Sequence, residues 1–374
     1  MSPSKVVIVT DTMPPWFVGG KEERLRQIKN NMSHDEFQII FATMRWWDGT
    51  APNQHVAICK KIKIYKKGRR SILNSLYFAI SCFKIVRLRP DLVEADQMPF
   101  LPIWPLKLVC LALRIPLCVT WHEVWGSEYW NKYLGRWGFI AAGIERISMK
   151  LPDKIIAVSE MTKDRLIAAG VKSHKISVIP NSVNCDEIRN SSTNLYVTDL
   201  LYVGRLISHK RVDLLLEAIA ILNNEEIYTS LTIIGTGPEL DNLKVQATEK
   251  LRQEQIIFYS EYLDSRDIWG MMAKCKIFVS ASEREGYGIA VLEALTAGAK
   301  VLVSSHEDNA ARFLVTNEVG QIVPQQTPRA WADSIKFGLT AWNGLPKSSK
   351  NSIPIKYNFG LDYSKIWSMA LENK

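Results

Sequence analysis

The chain has 374 residues, 47% of them hydrophobic and 23% charged, a balance that excludes a disordered chain, a fibrous repeat and a small disulfide-stapled domain. At about 100–200 residues per domain, this length suggests two or three domains. The net charge of +9 is uneven: residues 1–197 hold 28 Lys and Arg against 17 Asp and Glu (+11), whereas residues 198–374 hold 19 against 21 (−2), which suggests different partners for the two halves.

The first apolar run, 6–9, breaks at Thr10 and Asp11. It is too short for the apolar region of a signal peptide and reads as a buried first strand. Further apolar runs follow at 37–43, 92–95, 117–120, 155–159 and 176–179, separated by helix-like stretches at 21–31, 72–87 and 160–169. Residues 100–119 are apolar enough to suggest a membrane span but contain Lys107, Arg114 and three prolines. Central charges cost about 2.5–3.5 kcal/mol each on insertion, so the segment is predicted as a helix, 104–113, then a strand, 117–120, and the protein as not integral.

The polar stretch 181–195 has linker composition. A second series of strands is predicted at 199–203, 231–234, 256–259, 277–280 and 300–304, with helices at 212–223, 238–253 and near 289–297. Short apolar strands alternating with helices indicate parallel sheets covered on both faces. The predicted fold class is α/β, two doubly wound Rossmann-like domains facing across a cleft. Their boundaries are a first domain at 1–184, a linker at 185–197, a second domain at 198–355 and a terminal helix within 356–374 that packs back on the first domain. Six cysteines without a C-x-x-C pair read as reduced, packed thiols of a cytosolic protein.

In open parallel sheets, ligands bind beyond the carboxyl ends of the strands, and four such loops carry unusual residues. After the first strand, Gly19 and Gly20 at a helix start present amides to an anion, or simply make a tight turn. After strand 199–203 come Gly204, Arg205 and Lys210. A guanidinium fork and an ammonium suit a diphosphate, although most Lys and Arg face solvent. His209, Lys210 and Arg211 at a helix start oppose the macrodipole unless an anion binds there.

The third loop carries Glu285, Gly286, Tyr287 and Gly288, with Glu293 eight residues after Glu285 on an apolar helix, where a carboxylate needs a partner or a ligand. In the fourth, His122 follows a strand between Trp121 and Trp125, and fits either a core histidine or a polar group lining the site.

Taken together, the Gly-Gly loop, His122, IIAVSEMTKDRL, VIPNSVN, the G-R-x-x-x-x-K of the second half, and Glu285 with Glu293 resemble the retaining GT-B nucleotide-sugar glycosyltransferases of family four, the "glycosyl transferases group 1". This resemblance covers nearly the whole chain. It implies that Arg205 and Lys210 bind the donor diphosphate, that Glu285 holds hydroxyls of the transferred sugar, and that Glu293 holds the ribose. Amides around Gly204, Gly286–Gly288 and Gly19–Gly20 would touch phosphate and sugar, with Tyr287 in the same donor loop, and His122 would line the reaction centre.

The implied activity is a retaining, metal-independent hexosyl transfer from a UDP- or GDP-linked sugar to a glycan or lipid-linked acceptor. No cofactor is implied beyond this co-substrate, and no D-x-D for a metal clamp is present. Three departures stand out: His122-Glu123, Gly298-Ala299-Lys300, and a glycine-free stretch at 304–313.

Seven of the eleven residues from Lys60 to Arg70 are cationic, and an apolar stretch follows. This suits an anionic membrane surface at about 1 kcal/mol per cation, placing the protein in the cytoplasm or on the inner face of the membrane; an ordinary solvated face is the plain alternative. No nucleic-acid-binding module accompanies the charge. Two other functions compete. A dinucleotide oxidoreductase would need G-x-G-x-x-G, and only Gly235-Thr236-Gly237 comes near it. A catalytically inactive nucleotide-sugar binder of the same fold would share every motif.

Overall fold

The computed structural model describes residues 3–17, 19–33, 35–66, 69–342 and 359–372. The chain forms two compact units, Met1–Ser182 with Tyr357–Lys374, and Val183–Lys356.

Unit 1 contains β1 (Ser4–Val9), α1 (Gly20–Asn31), β2 (Phe37–Met44), β3 (His55–Cys59), a small hairpin of β4 (Tyr65–Lys66) and β5 (Arg69–Arg70), and α2 (Ile72–Ser81). A 3-10 turn, Cys82–Leu88, leads to β6 (Leu92–Asp96), α3 (Ile103–Leu113), β7 (Leu117–Trp121), α4 (Gly126–Leu134), α5 (Gly138–Ser148), β8 (Lys154–Ala157), α6 (Glu160–Ala168) and β9 (Ile176–Val178). Segment 100–119 is thus α3 and β7. Among the described residues, no helix is long and apolar enough to cross a membrane.

The sheet of unit 1 is parallel, in the order β3-β2-β1-β6-β7-β8-β9. The chain starts in the middle, builds outward through β2 and β3, then crosses to the other side of β1. The carboxyl ends of β1 and β6 therefore flank a topological switch point, where open α/β sheets leave a crevice. Strands such as Val6–Val9 are buried on both faces, so their apolar residues run without polar alternation. Side-chain caps set helix starts: Ser71 accepts from the Asn74 amide, and Ser159 from that of Thr162.

The last helix, α13 (Phe359–Glu372), completes one of the two cores of this unit. Its Tyr363 and Trp367 are fully buried. The Trp367 indole donates to Glu94 on β6 at 2.6 Å, and the Tyr363 hydroxyl donates to Glu94 at 3.3 Å. Arg24 on α1 donates to the Tyr363 hydroxyl at 2.7 Å and to the Ile179 carbonyl and the Asn181 side chain, both at 2.9 Å. Burial pushes the Glu94 carboxyl up to about 7, against the hydrogen bond from Thr120 and the charge of Arg24.

Unit 2 opens with a short helix, α7 (Cys185–Arg189), in the stretch predicted as linker. It continues with β10 (Leu200–Val203), α8 (Val212–Asn224), β11 (Leu231–Ile234), α9 (Leu240–Lys250), β12 (Ile256–Tyr259), α10 (Ser265–Lys274), β13 (Ile277–Ser280), α11 (Ile289–Thr296), β14 (Lys300–Ser304), β15 (Gly320–Val323) and α12 (Pro328–Ala341). The sheet is parallel, in the order β12-β11-β10-β13-β14-β15. Its switch point lies between β10 and β13. Five of the cysteines are buried, Cys185 is half-buried, and all six are free thiols.

Candidate functional site

In unit 2, the loops leaving β10 and β13 meet at the switch point. The buried Tyr202 hydroxyl donates to the Arg205 carbonyl at 3.2 Å and fixes the turn that follows β10. Gly204 and Gly235 approach so closely that a Cβ on Gly235, whose φ is +149°, would lie 1.9 Å from the Gly204 carbonyl oxygen. The 235–237 glycines therefore serve a backbone contact with the 204–206 turn.

A 3-10 turn, Ser208–Lys210, leads into α8. From it the Lys210 ammonium reaches the Glu285 carboxylate, which also accepts from the Ser282 hydroxyl at 2.9 Å. Arg205 is exposed. Arg211, which follows that turn, bonds Asp213 at 3.0 Å and Glu283 at 2.6 Å, so it braces the two loops. His209 lies in their midst. Burial, with the positive field of Lys210, Arg205 and Arg284 outweighing Glu285, brings its ring down to about 3, so it is neutral at physiological pH.

The glycine-free stretch 304–313 packs directly behind Glu285. The Glu285 amide donates to the Asp308 carbonyl at 3.1 Å, and the Ala310 amide donates to the Glu285 carbonyl at 2.9 Å. Asn309, fully buried, donates to the Ser282 carbonyl at 3.1 Å. Gly288 enters α11 at φ +92°, and a Cβ there would lie 2.4 Å from Ala311. Gly286 and Tyr287 complete the loop, and Glu293, in the second turn of α11, accepts from the Trp269 indole at 3.0 Å.

The remaining sequence-predicted residues, His122, Gly19 and Gly20, belong to unit 1 and gather at the switch point of its own sheet. His122 follows β7, and its Nε2 lies 3.1 Å from Asp96 at the end of β6. Toward an ionised Asp96, Nε2 is the donor. Lys21, in the first turn of α1, donates to Asp11 at 2.8 Å and to the Thr10 hydroxyl at 3.0 Å, and lies 3.6 Å from Asp96. Arg70 pairs with the other oxygen of Asp11.

Burial alone would raise both carboxyls. Lys21 and Arg70 overcome it at Asp11, lowering it to about 2, and Lys21 and His122 hold Asp96 below its ordinary value. Gly19 precedes α1 with the Glu22 carboxylate over it: a Cβ on Gly19 would lie 2.7 Å from Oε2.

Residues 18–187 match the family described as Glycosyltransferase Family 4, and residues 186–352 match Glycosyl transferases group 1. The chain belongs to the GT-B glycosyltransferases. Over 166 residues this glycosyltransferase is 28% identical to the GDP-mannose:cellobiosyl-diphosphopolyprenol alpha-mannosyltransferase of Komagataeibacter xylinus, covering 43% of this chain and 41% of that one. Over 321 residues it is 27% identical to the alpha-monoglucosyldiacylglycerol synthase of Streptococcus pneumoniae, covering 80% and 70%. The first match therefore spans less than half of the relative's length. In fold it is similar to Anabaena HepE, solved with UDP-glucose, with a TM-score of 0.74, 17% identity, and 99% and 100% of the two chains covered.

Sequence reasoning overlooked Asp11, Lys21 and Asp96 in unit 1, and Arg284 and Asn309 in unit 2. Asp11 and Asp96 follow predicted strands, and Lys21 and Arg284 adjoin motifs already singled out, but no sequence pattern joins the three unit 1 residues, and Asn309 is uncharged.

Proposed function

We propose that this glycosyltransferase moves a hexose from a nucleoside-diphosphate sugar, UDP- or GDP-linked, to a glycan or lipid-linked acceptor, with retention at the anomeric carbon and without a metal. The Lys210–Glu285 pair at the switch point of unit 2, with Arg205 on the same loop, carries the reading. Its relatives support it: a mannosyltransferase, a glucolipid synthase and a structural neighbour solved with UDP-glucose.

Before donor arrives, Lys210 and Glu285 neutralise one another. A pyrophosphate offers Lys210 a more highly charged partner, and a sugar hydroxyl donates to the carboxylate released. The pair is thus the resting form of two donor contacts. In the transfer, the acceptor hydroxyl oxygen bonds the anomeric carbon as the bond to the phosphate oxygen breaks, and the hydroxyl proton passes to that departing oxygen. Arg205 and Lys210 stabilise the charge that develops on the diphosphate, Glu285 and Glu293 hold sugar and ribose hydroxyls, and Gly286–Gly288 amides meet phosphate. In unit 1, Asp96 holds His122 for a sugar hydroxyl, and residues 60–70 draw the protein toward anionic headgroups.

Nucleoside diphosphate release from a panel of UDP- and GDP-hexoses tests the reading. Lys210→Ala and Glu285→Gln are each expected to lower turnover about a hundredfold or more with little change in melting temperature. Near-normal turnover in both variants rejects the assignment. Stabilisation by UDP or GDP with no turnover on any donor identifies a binding protein instead.

A further inference from the structure

Unit 1 leaves three neighbouring helices with their apolar stripes uncovered. On α2, Leu73, Leu76 and Ile80 recur at helical spacing and are 78%, 46% and 59% exposed. On α3, Trp104, Leu108 and Leu111 form a second exposed stripe, and on α5 Ile140 and Ile147 form a third, with half-buried Ile144 between them. The stripes are contiguous. The Trp104 indole donates to Ser148 at the end of α5 at 3.0 Å, and a groove of about 340 Å³ runs between α2 and α3, lined by Leu76, Ile80, Phe83, Trp104 and Leu108 and reached by Ile144. Monomeric soluble proteins rarely leave so broad an apolar surface without a use for it.

The charges around this face are mostly of one sign, with Asp153, paired to Lys107 of α3 at 2.6 Å, the exception. From Lys60 to Pro90 the sequence holds ten Lys and Arg and no acid. Lys60, Lys61 and Lys63 are exposed, and the Asn74 side chain on the first turn of α2 donates to the Lys63 carbonyl at 2.5 Å, which sets that segment against α2. Exposed Arg87 and Arg89 follow α2, Arg114 ends α3, and Arg146 lies on α5. The only acid on these three helices, Glu145, is buried and accepts from the Trp130 indole and from the Trp125 and Gly126 amides. Arg70 points elsewhere, to Asp11.

We propose that unit 1 docks on an anionic lipid bilayer through the α2–α3–α5 face, its apolar side chains entering the headgroup–acyl boundary while the flanking cations stay with the lipid phosphates. A second copy is a poorer occupant, because a two-fold contact would set this cationic rim against itself. A bilayer supplies both the hydrocarbon and the opposite charge. The inference deepens the lipid-surface part of the proposed function and rests on it: basic residues alone give a fully salt-screened attraction, whereas insertion adds a contribution that salt does not screen.

The test is co-sedimentation of the full chain with phosphatidylcholine vesicles, with and without phosphatidylglycerol, at low and high salt. The wild type is expected to bind the anionic vesicles and to keep part of that binding at high salt. Leu73→Ser/Ile80→Ser/Leu108→Ser, all at exposed positions, is expected to weaken binding about tenfold or more while nucleoside-diphosphate release, to which none of these three residues is assigned, is unchanged. Brominated lipid is expected to quench tryptophan emission less in Trp104→Phe. Equal binding by the triple variant, with complete loss at high salt in both proteins, overturns insertion and leaves the electrostatic attraction. Absence of wild-type binding overturns both. A wild-type dimer that the triple variant abolishes assigns the face to a second copy and overturns the proposal. Loss of donor turnover without loss of vesicle binding would reject the donor assignment alone.

Discussion

Asn309 shows how a loop without glycine serves the Glu285 site. Its side chain, fully buried, donates to the carbonyl of Ser282, whose hydroxyl in turn donates to Glu285. Replacing it with alanine leaves a buried carbonyl without that donor, a cost of about 1–3 kcal/mol, and frees the loop that aims the carboxylate. Asn309→Ala is therefore expected to lower the melting temperature and to lower turnover beyond what lost folded protein explains; normal turnover per folded molecule would remove Asn309 from the account. The residues of this site were legible where one loop holds them together, as Glu285–Gly288 does. Asp11, Lys21 and Asp96 were not, because a parallel sheet gathers strand ends that lie far apart in the sequence.

At the level of elements, the two switch points gather the candidate site residues, and α13 packs against the strands that form the one in unit 1. Glu94 and Asp96 share β6: one carboxylate faces the α13 core, the other meets Lys21 and His122. Because the Glu94 carboxyl is raised from 4.5 to about 7 in the folded protein, the native state holds a proton between those values that the unfolded chain has lost. Stability from this group is therefore fully present below about pH 4.5 and is lost as pH rises through 7, a change on the order of 3 kcal/mol. Glu94→Gln, which cannot ionise, is expected to flatten that part of the pH–stability profile measured by chemical denaturation; an unchanged slope would show that Glu94 does not titrate there.

The short apolar strands were readable from composition alone, since burial on both faces leaves no polar alternation. Strand β3, HVAIC, and strand β15, GQIV, were not anticipated: each is an edge strand with mixed polarity. Helix α12 also went unread, although Thr327 and Pro328 give it a side-chain cap and a proline start.

For the molecule as a whole, the uneven charge read from the sequence has a structural counterpart in the cationic surroundings of the α2–α3–α5 face. Unit 2 is the near-neutral part of the chain, and within it Arg205, Lys210 and Arg284 set a positive field around a neutral His209. Much of the fold was legible because the strand–helix alternation repeats twice. The C-terminal return was legible only as an apolar helix after a polar stretch, and its anchoring to Arg24 and Glu94 was not, because those partners lie near the other end of the sequence.

Titration calorimetry of UDP and GDP into the wild type and Lys210→Ala addresses the Lys210–Glu285 site most directly, without need of an acceptor. Loss of one charge-assisted contact of about 1.5–3 kcal/mol is expected to weaken binding of the preferred nucleotide about 10- to 100-fold while both proteins melt at the same temperature. Equal affinities in the two proteins, or no binding of either nucleotide to the wild type, would contradict the account.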